Sequence, residues 1–155
     1  MIQKKSYTRW VERVRERVGS MKDIAFVLHR NNNENMVCYK RDTKEVCKPF
    51  WVMFEKEGSP YEELTMIEKQ FGYGIELINR EDDVYVMKIK AFDKKEIIFT
   101  DKSGEGWEAY TMINGAIKKL VAVHLQIKKF IGIIPTVEYM EIFGEGGEYE
   151  KYVIN

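Results

Sequence analysis

The sequence predicts a mainly β chain: an antiparallel meander forming a barrel or strongly curled sheet, with one inserted helix and an N-terminal amphipathic helix. Three observations carry that prediction. Apolar and polar residues alternate repeatedly between Val84 and Ile142, the period of strands that set one face against a core. Turn-forming residues recur at short intervals along the same stretch. The aromatic content is 13%, and aromatic rings are favoured on pleated surfaces.

Residues 1–20 stand apart. Tyr7, Trp10, Val11, Val14 and Val18 share one face at three-four spacing, while Lys4, Lys5, Arg9, Arg13, Arg15 and Arg17 are set against only Glu12 and Glu16, a local net of +4. This reads as a helix over about 5–18, ended by Gly19-Ser20. Two destinations are open for it: docking on the sheet through Trp10 and the valines, or lying on an anionic membrane or acidic protein surface. Gly-Ser is also the form of an artificial junction, which leaves open whether the segment is native to the domain.

Residues 21–155 make the β domain. Ile24 to Arg30 is a strand, and Asn31-Asn32-Asn33-Glu34-Asn35 is a turn, because Asn tolerates left-handed backbone and bonds its own chain. Met36 to Arg41 returns as a strand, Asp42 to Lys48 is a polar connection, and Phe50 to Phe54 is a run short and apolar enough for a strand buried on both faces. Ser59 and Pro60, followed by Glu62 and Glu63, carry the start signals of a helix over about 59–71 with Leu64, Ile67 and Phe71 as its stripe. Strands follow at Ile75–Asn79, Val84–Phe92, Glu96–Thr100, Glu108–Ile113, Ile117–Ile127 and Thr136–Phe143, with a last one at Tyr149–Ile154. In Ile117–Ile127, Val121, Val123, Leu125 and Ile127 share the core face, and His124 lies on the polar one. Asn114-Gly115 is the strongest hairpin signal, since a type I′ turn needs positive φ at both positions.

Composition narrows the function classes. The 155 residues suit one domain with its own core, and Lys plus Arg equals Asp plus Glu at 25 each, so nothing draws the chain toward nucleic acid. No run approaches the roughly 20 apolar residues of a membrane span, and no apolar stretch follows the charged N-terminus as a secretory signal requires. The expectation is a soluble cytoplasmic protein. Cys38 and Cys47 read as reduced, partly buried thiols.

Several pieces taken together carry a resemblance: Phe26-Val27-Leu28-His29-Arg30 before the Asn-rich turn, Val37-Cys38-Tyr39, Pro49-Phe50-Trp51-Val52, Glu63-Leu64-Thr65 with Glu68 and Phe71-Gly72-Tyr73-Gly74, and Val137 to Gly144. In order and spacing they resemble an uncharacterised bacterial family of small domains of unknown function, from about residue 22 to the C-terminus. That resemblance implies one domain and carries no activity.

Chemistry is sparse. His29, Cys38 and Cys47 lack the close-paired spacing of a zinc site, so no metal and no cofactor is expected. Gly72-Tyr73-Gly74 and Gly144-Glu145-Gly146-Gly147 lack the strand-to-helix context of a phosphate cradle and read as turns. Arg30 is the most informative residue. It ends the first strand, and with Asn31, Asn33, Tyr39, Trp51 and Tyr73 it can form a polar-aromatic mouth in which a guanidinium receives a carboxylate or phosphate. The leading function is therefore binding of a small ligand with an apolar body and an anionic end. Trp51, Phe54, Tyr85 and Met87 would lie near the barrel interior. Two alternatives are an interaction module recruited through residues 1–20, and an enzyme in which Arg30 orients a substrate beside Glu63, Glu68 or His29 as base.

Overall fold

The computed structural model describes residues 2–31, 34–55, 57–101, 104 and 106–154, with residues 2–6 described in backbone alone. Helix α1 (Ile2–Val18) leads into β1 (Ile24–Arg30), β2 (Met36–Asp42), β3 (Val46–Val52) and β4 (Tyr61–Glu63). Helix α2 (Met66–Phe71) then precedes β5 (Ile75–Glu81), β6 (Val84–Ile89), β7 (Phe92–Thr100), β8 (Glu108–Ile113), β9 (Ala116–Ile131), β10 (Ile134–Gly144) and β11 (Tyr149–Val153).

All eleven strands join one sheet, in the order β4-β3-β2-β1-β9-β8-β7-β6-β5, with β10 on β9 and β11 on β10. The long β9 is its spine. Residues 116–119 pair with β8, residues 122–125 pair with β1, and β10 runs along residues 120–131. Two half-sheets thus share β9 and β10 and fold toward each other. The sheet does not close: among the described residues β5 pairs with β6 alone and β4 with β3 alone. The expected barrel gives way to an open, strongly bent sheet. Its pairing is mixed, because β1 and β9 run parallel, which a sequential antiparallel meander would not contain.

Two cores fill the two sides of the β1–β3 half-sheet. Phe26, Leu28, Tyr39, Trp51, Tyr85, Met87, Phe99 and Leu125 pack between the half-sheets. Val27, Met36, Cys38, Phe50, Val52, Ala122 and Phe143 form the other layer under α1, which contributes the fully buried Val14. Strict alternation between the layers explains why β1 to β3 read as continuous apolar runs. Phe54 belongs to the α1 side, its ring 4.4 Å from the Arg13 guanidinium, and not to the interior. The interior is filled: the void among Ile89, Phe92, Leu120 and Met140 measures about 10 Å³, room for one water at most.

Three local departures have clear causes. A register shift falls at Val121, between Leu120 and Ala122. It puts Leu120 and Val123 in the inner core while Val121 turns to the α1 side. His124 does oppose Leu125, but that face is covered by α1, so His124 is buried and not on the rim. The helix expected from residue 59 starts at Met66: Tyr61–Glu63 pairs with the β3 edge, and Ser59 Oγ accepts from the Tyr61 amide as a turn. Thr65 and Glu68 supply a complete capping box for α2, a reciprocal pair that outweighs the Ser-Pro signal. The Asn114-Gly115 turn forms as expected, with φ of 52° and 86°.

No helix among the described residues is long and apolar enough to cross a membrane.

Candidate functional site

Strand alternation sends the side chains of His29 and Arg30 to opposite faces of β1. Arg30 turns to the inner side, where β1, β3, β9 and the segment after α2 converge. Its guanidinium carbon lies 4.7 Å from the centre of the Trp51 ring, 5.2 Å from Tyr73 and 5.9 Å from Phe130. Nη1 donates to the Tyr73 hydroxyl at 2.5 Å. The Nε–H is buried and has no acceptor among the described residues. A buried guanidinium N–H is normally satisfied, and residues 32 and 33, next to Arg30 in the chain, lie outside the described residues.

The walls are held from behind. The buried Tyr39 hydroxyl donates to the Tyr73 carbonyl at 2.7 Å, and Trp51 Nε1 donates to Glu68 Oε1 at 3.2 Å. Glu68 in turn accepts from the Thr65 amide, tying the box to the start of α2. Tyr73 is delivered by two glycines: a Cβ on Gly74 would fall 1.9 Å from the Lys69 carbonyl oxygen, and one on Gly72 would fall 2.8 Å from that of Glu68. The Gly-Tyr-Gly segment is thus a close-packed corner. Burial pushes the Tyr73 phenol above its usual range, and the adjacent Arg30 charge pulls it back.

Arg30, Tyr39, Trp51 and Tyr73 therefore come together, with Tyr39 as a buried support behind the ring that faces the guanidinium. Asn33 lies outside the described residues. Asn31, not Arg30, ties down the turn: its amide bonds both the carbonyl and the amide of Ile127, at 3.1 and 2.6 Å. Phe130 was missed by sequence reasoning, while Glu68 was named there as a candidate base beside Arg30. The Thr-x-x-Glu spacing announced Glu68, whereas Phe130 had no local signal because β9 was ended at Ile127. Open grooves of about 360 and 610 Å³ lie beside α2 and along β5–β6, lined by other residues than Arg30.

A second cluster occupies the α1 side. His29 and His124, partners in the parallel β1–β9 register, approach at 2.8 Å through their Nδ1 atoms. Trp10 stacks on His29 with ring centres 4.2 Å apart. With Gln126 Oε1 as acceptor, 2.9 Å from His124 Nε2, His124 donates there, and His29 Nδ1–H donates to His124 Nδ1. Burial, His124 and Arg13 lower the His29 pKa to about 4.

The matching part of the chain settles the family. A model described as "Domain of unknown function (DUF4833)" covers residues 26–155. The chain belongs to the DUF4833 family. This agrees with the order of motifs read from the sequence. Comparison with curated proteins and with solved structures finds no significant match. In this DUF4833 chain every described wall of the Arg30 site lies inside the matched region, while α1 lies outside it.

Of the three candidate bases only Glu68 lies in the Arg30 site, where it accepts from Trp51 Nε1. Glu63 is on the β4 edge, ion-paired to Lys48 at 2.6 Å, and His29 is on the other face of β1. Burial pushes the Cys38 and Cys47 thiols up, so neither is a ready nucleophile. The two sit in different core layers and do not face each other across β2–β3, where Cys38 meets Phe50 and Cys47 meets Arg41. Among the described residues no three metal-ligating side chains gather.

Proposed function

We propose that this DUF4833 chain binds a small amphiphile, its anionic end on Arg30 and its apolar body along the rim beside it. The observation that carries the reading is a guanidinium walled by three aromatic rings whose buried Nε–H has no acceptor among the described residues. With Nη1 engaged by Tyr73, the Nε edge is the side on which a carboxylate or phosphate oxygen accepts. Ile67, Phe71 and Phe130 are about half exposed, and α2 packs along β10 next to them, which supplies an apolar bed at the surface. The narrow void between the half-sheets supports a ligand position on this rim instead of inside the sheet. Two unpaired cysteines support a reducing, cytoplasmic setting.

Thermal denaturation with decanoate, decyl phosphate and decyltrimethylammonium tests the reading, since a ligand bound to the native state must stabilise it. At a hundredfold excess over Kd the gain is about 2.7 kcal/mol, a rise of roughly 5–10 °C for a chain of this size. The two anions should produce it and the cation should not. Arg30→Lys, which keeps the charge and loses the fork, should remove most of the rise. No rise with either anion, or an equal rise in Arg30→Lys, overturns the proposal.

A further inference from the structure

The turn between β9 and β10 is built from Phe130, Ile131, Gly132, Ile133 and Ile134. Hairpin tips are normally polar and rich in Asn, Asp and Gly. This one carries Gly132 at φ 65°, which the turn requires, and otherwise only apolar side chains. Phe130, Ile131 and Ile133 are 46, 63 and 54% exposed. The outer face of α2 adds Met66, Ile67 and Phe71, and the helix buries none of its residues. Glu68 on Trp51 and Lys69 paired to Glu45 at 2.5 Å tie α2 down through its polar residues, so its apolar stripe is left uncovered.

The charged residues nearest the tip along β9 are basic. Lys128 and Lys129 are exposed directly behind Phe130, and no Asp or Glu occurs between Glu108 and Glu138. At the rise of a strand the two lysines stand about 10–13 Å back from Gly132 at the apex. An apolar apex with cations at that height matches the bilayer interface, where apolar groups enter about 5–10 Å and lysines reach the phosphates. A protruding tip also has the shape to enter a fluid surface, whereas protein partners meet broader faces.

We propose that the β9–β10 tip and the outer face of α2 dock this chain on an anionic lipid bilayer. The corollary that the amphiphile at Arg30 is drawn from the membrane rests on the function proposed above; the docking itself stands on the tip. Each apolar side chain returned to an apolar surround is worth about tenfold or more in partition.

Co-sedimentation of the full chain with vesicles tests this, using phosphatidylcholine alone and phosphatidylcholine with about one part in four phosphatidylserine. The chain should pellet with the anionic vesicles and much less with the neutral ones. Ile131→Asp with Ile133→Asp should lower that partition by at least about tenfold without moving the thermal midpoint, because both side chains are exposed. Lys128→Glu with Lys129→Glu should reduce binding to anionic vesicles and leave the neutral ones unchanged. Failure to pellet with either vesicle, or equal pelleting of the Ile131/Ile133 variant, overturns the proposal. If decanoate still stabilises the protein in that case, the Arg30 site stands and only the membrane is lost. A dimer in light scattering that the Ile131/Ile133 variant dissolves, with no vesicle binding, would make the tip a protein interface and also overturn it.

Discussion

Lowering the pH from about 7.5 to about 4.5 puts a proton on His29 in the unfolded chain but not in the folded one. The folded ring sits under Trp10, against His124 and near Arg13, and its pKa is lowered from 6.5 to about 4. The unfolded state therefore binds more protons between those two values. Stability from this group is complete above pH 6.5, is lost as the pH falls toward 4, and changes no further below that. At 1.36 kcal/mol per unit the loss over the interval is about 2.5 kcal/mol as a ceiling. Part of the ring meets water, so screening trims this to about 1–2 kcal/mol. A chain of this size should then lose about 3–6 °C in midpoint from this one site. Urea denaturation of the wild type and of His29→Gln at the two pH values isolates the effect, because Gln can still donate to His124 and does not titrate. The difference between the two proteins should shrink by about 1–2 kcal/mol at the lower pH. Equal losses in both proteins would refute the reasoning and move the acid sensitivity to other groups.

Two further substitutions probe the support of the Arg30 site. Gly74→Ala drives a methyl against the Lys69 carbonyl and should cost about 1–3 kcal/mol in chemical denaturation, with Tyr73 displaced and decanoate binding weakened. Tyr39→Phe removes the donor to the Tyr73 carbonyl and should cost about 1–2 kcal/mol, again read by denaturation, while leaving the Arg30–Tyr73 contact in place.

Local chemistry was legible where it decided the structure. Asn114-Gly115 announced its hairpin and Phe50-Trp51-Val52 announced burial on both faces, while the strand expected over Val84–Phe92 stops at Ile89 and turns, so that Phe92 opens β7. Of the six residues proposed for the mouth, Arg30, Trp51 and Tyr73 meet, Tyr39 backs Tyr73, Asn31 bonds Ile127 instead, and Asn33 lies outside the described residues. What was illegible depends on partners far along the chain. The period of β9 marks Val121 as a core residue, and only the register slip against Phe143 and Gly144 turns it away. His124 read as polar-face because nothing in its neighbourhood announces that Trp10 will lie over it. The β4 segment is too short to show a period, and its three residues are all exposed. Closure could not be read either, since it depends on whether β4 and β5 find each other, and β5 remains exposed on both faces.

The parallel contact between β1 and β9 joins residues 95 positions apart, and this bears on how the protein is made. Residues 24–52 can form their hairpins early, but the strand that completes their inner face is synthesised more than seventy residues later. At ordinary translation rates the interval is on the order of 5–15 seconds. Through that time Phe26, Leu28 and Trp51 and the open edge of β1 face solvent, and pairing that depends on distant segments is intrinsically slow. The emerging N-terminal half is therefore a natural client for a chaperone.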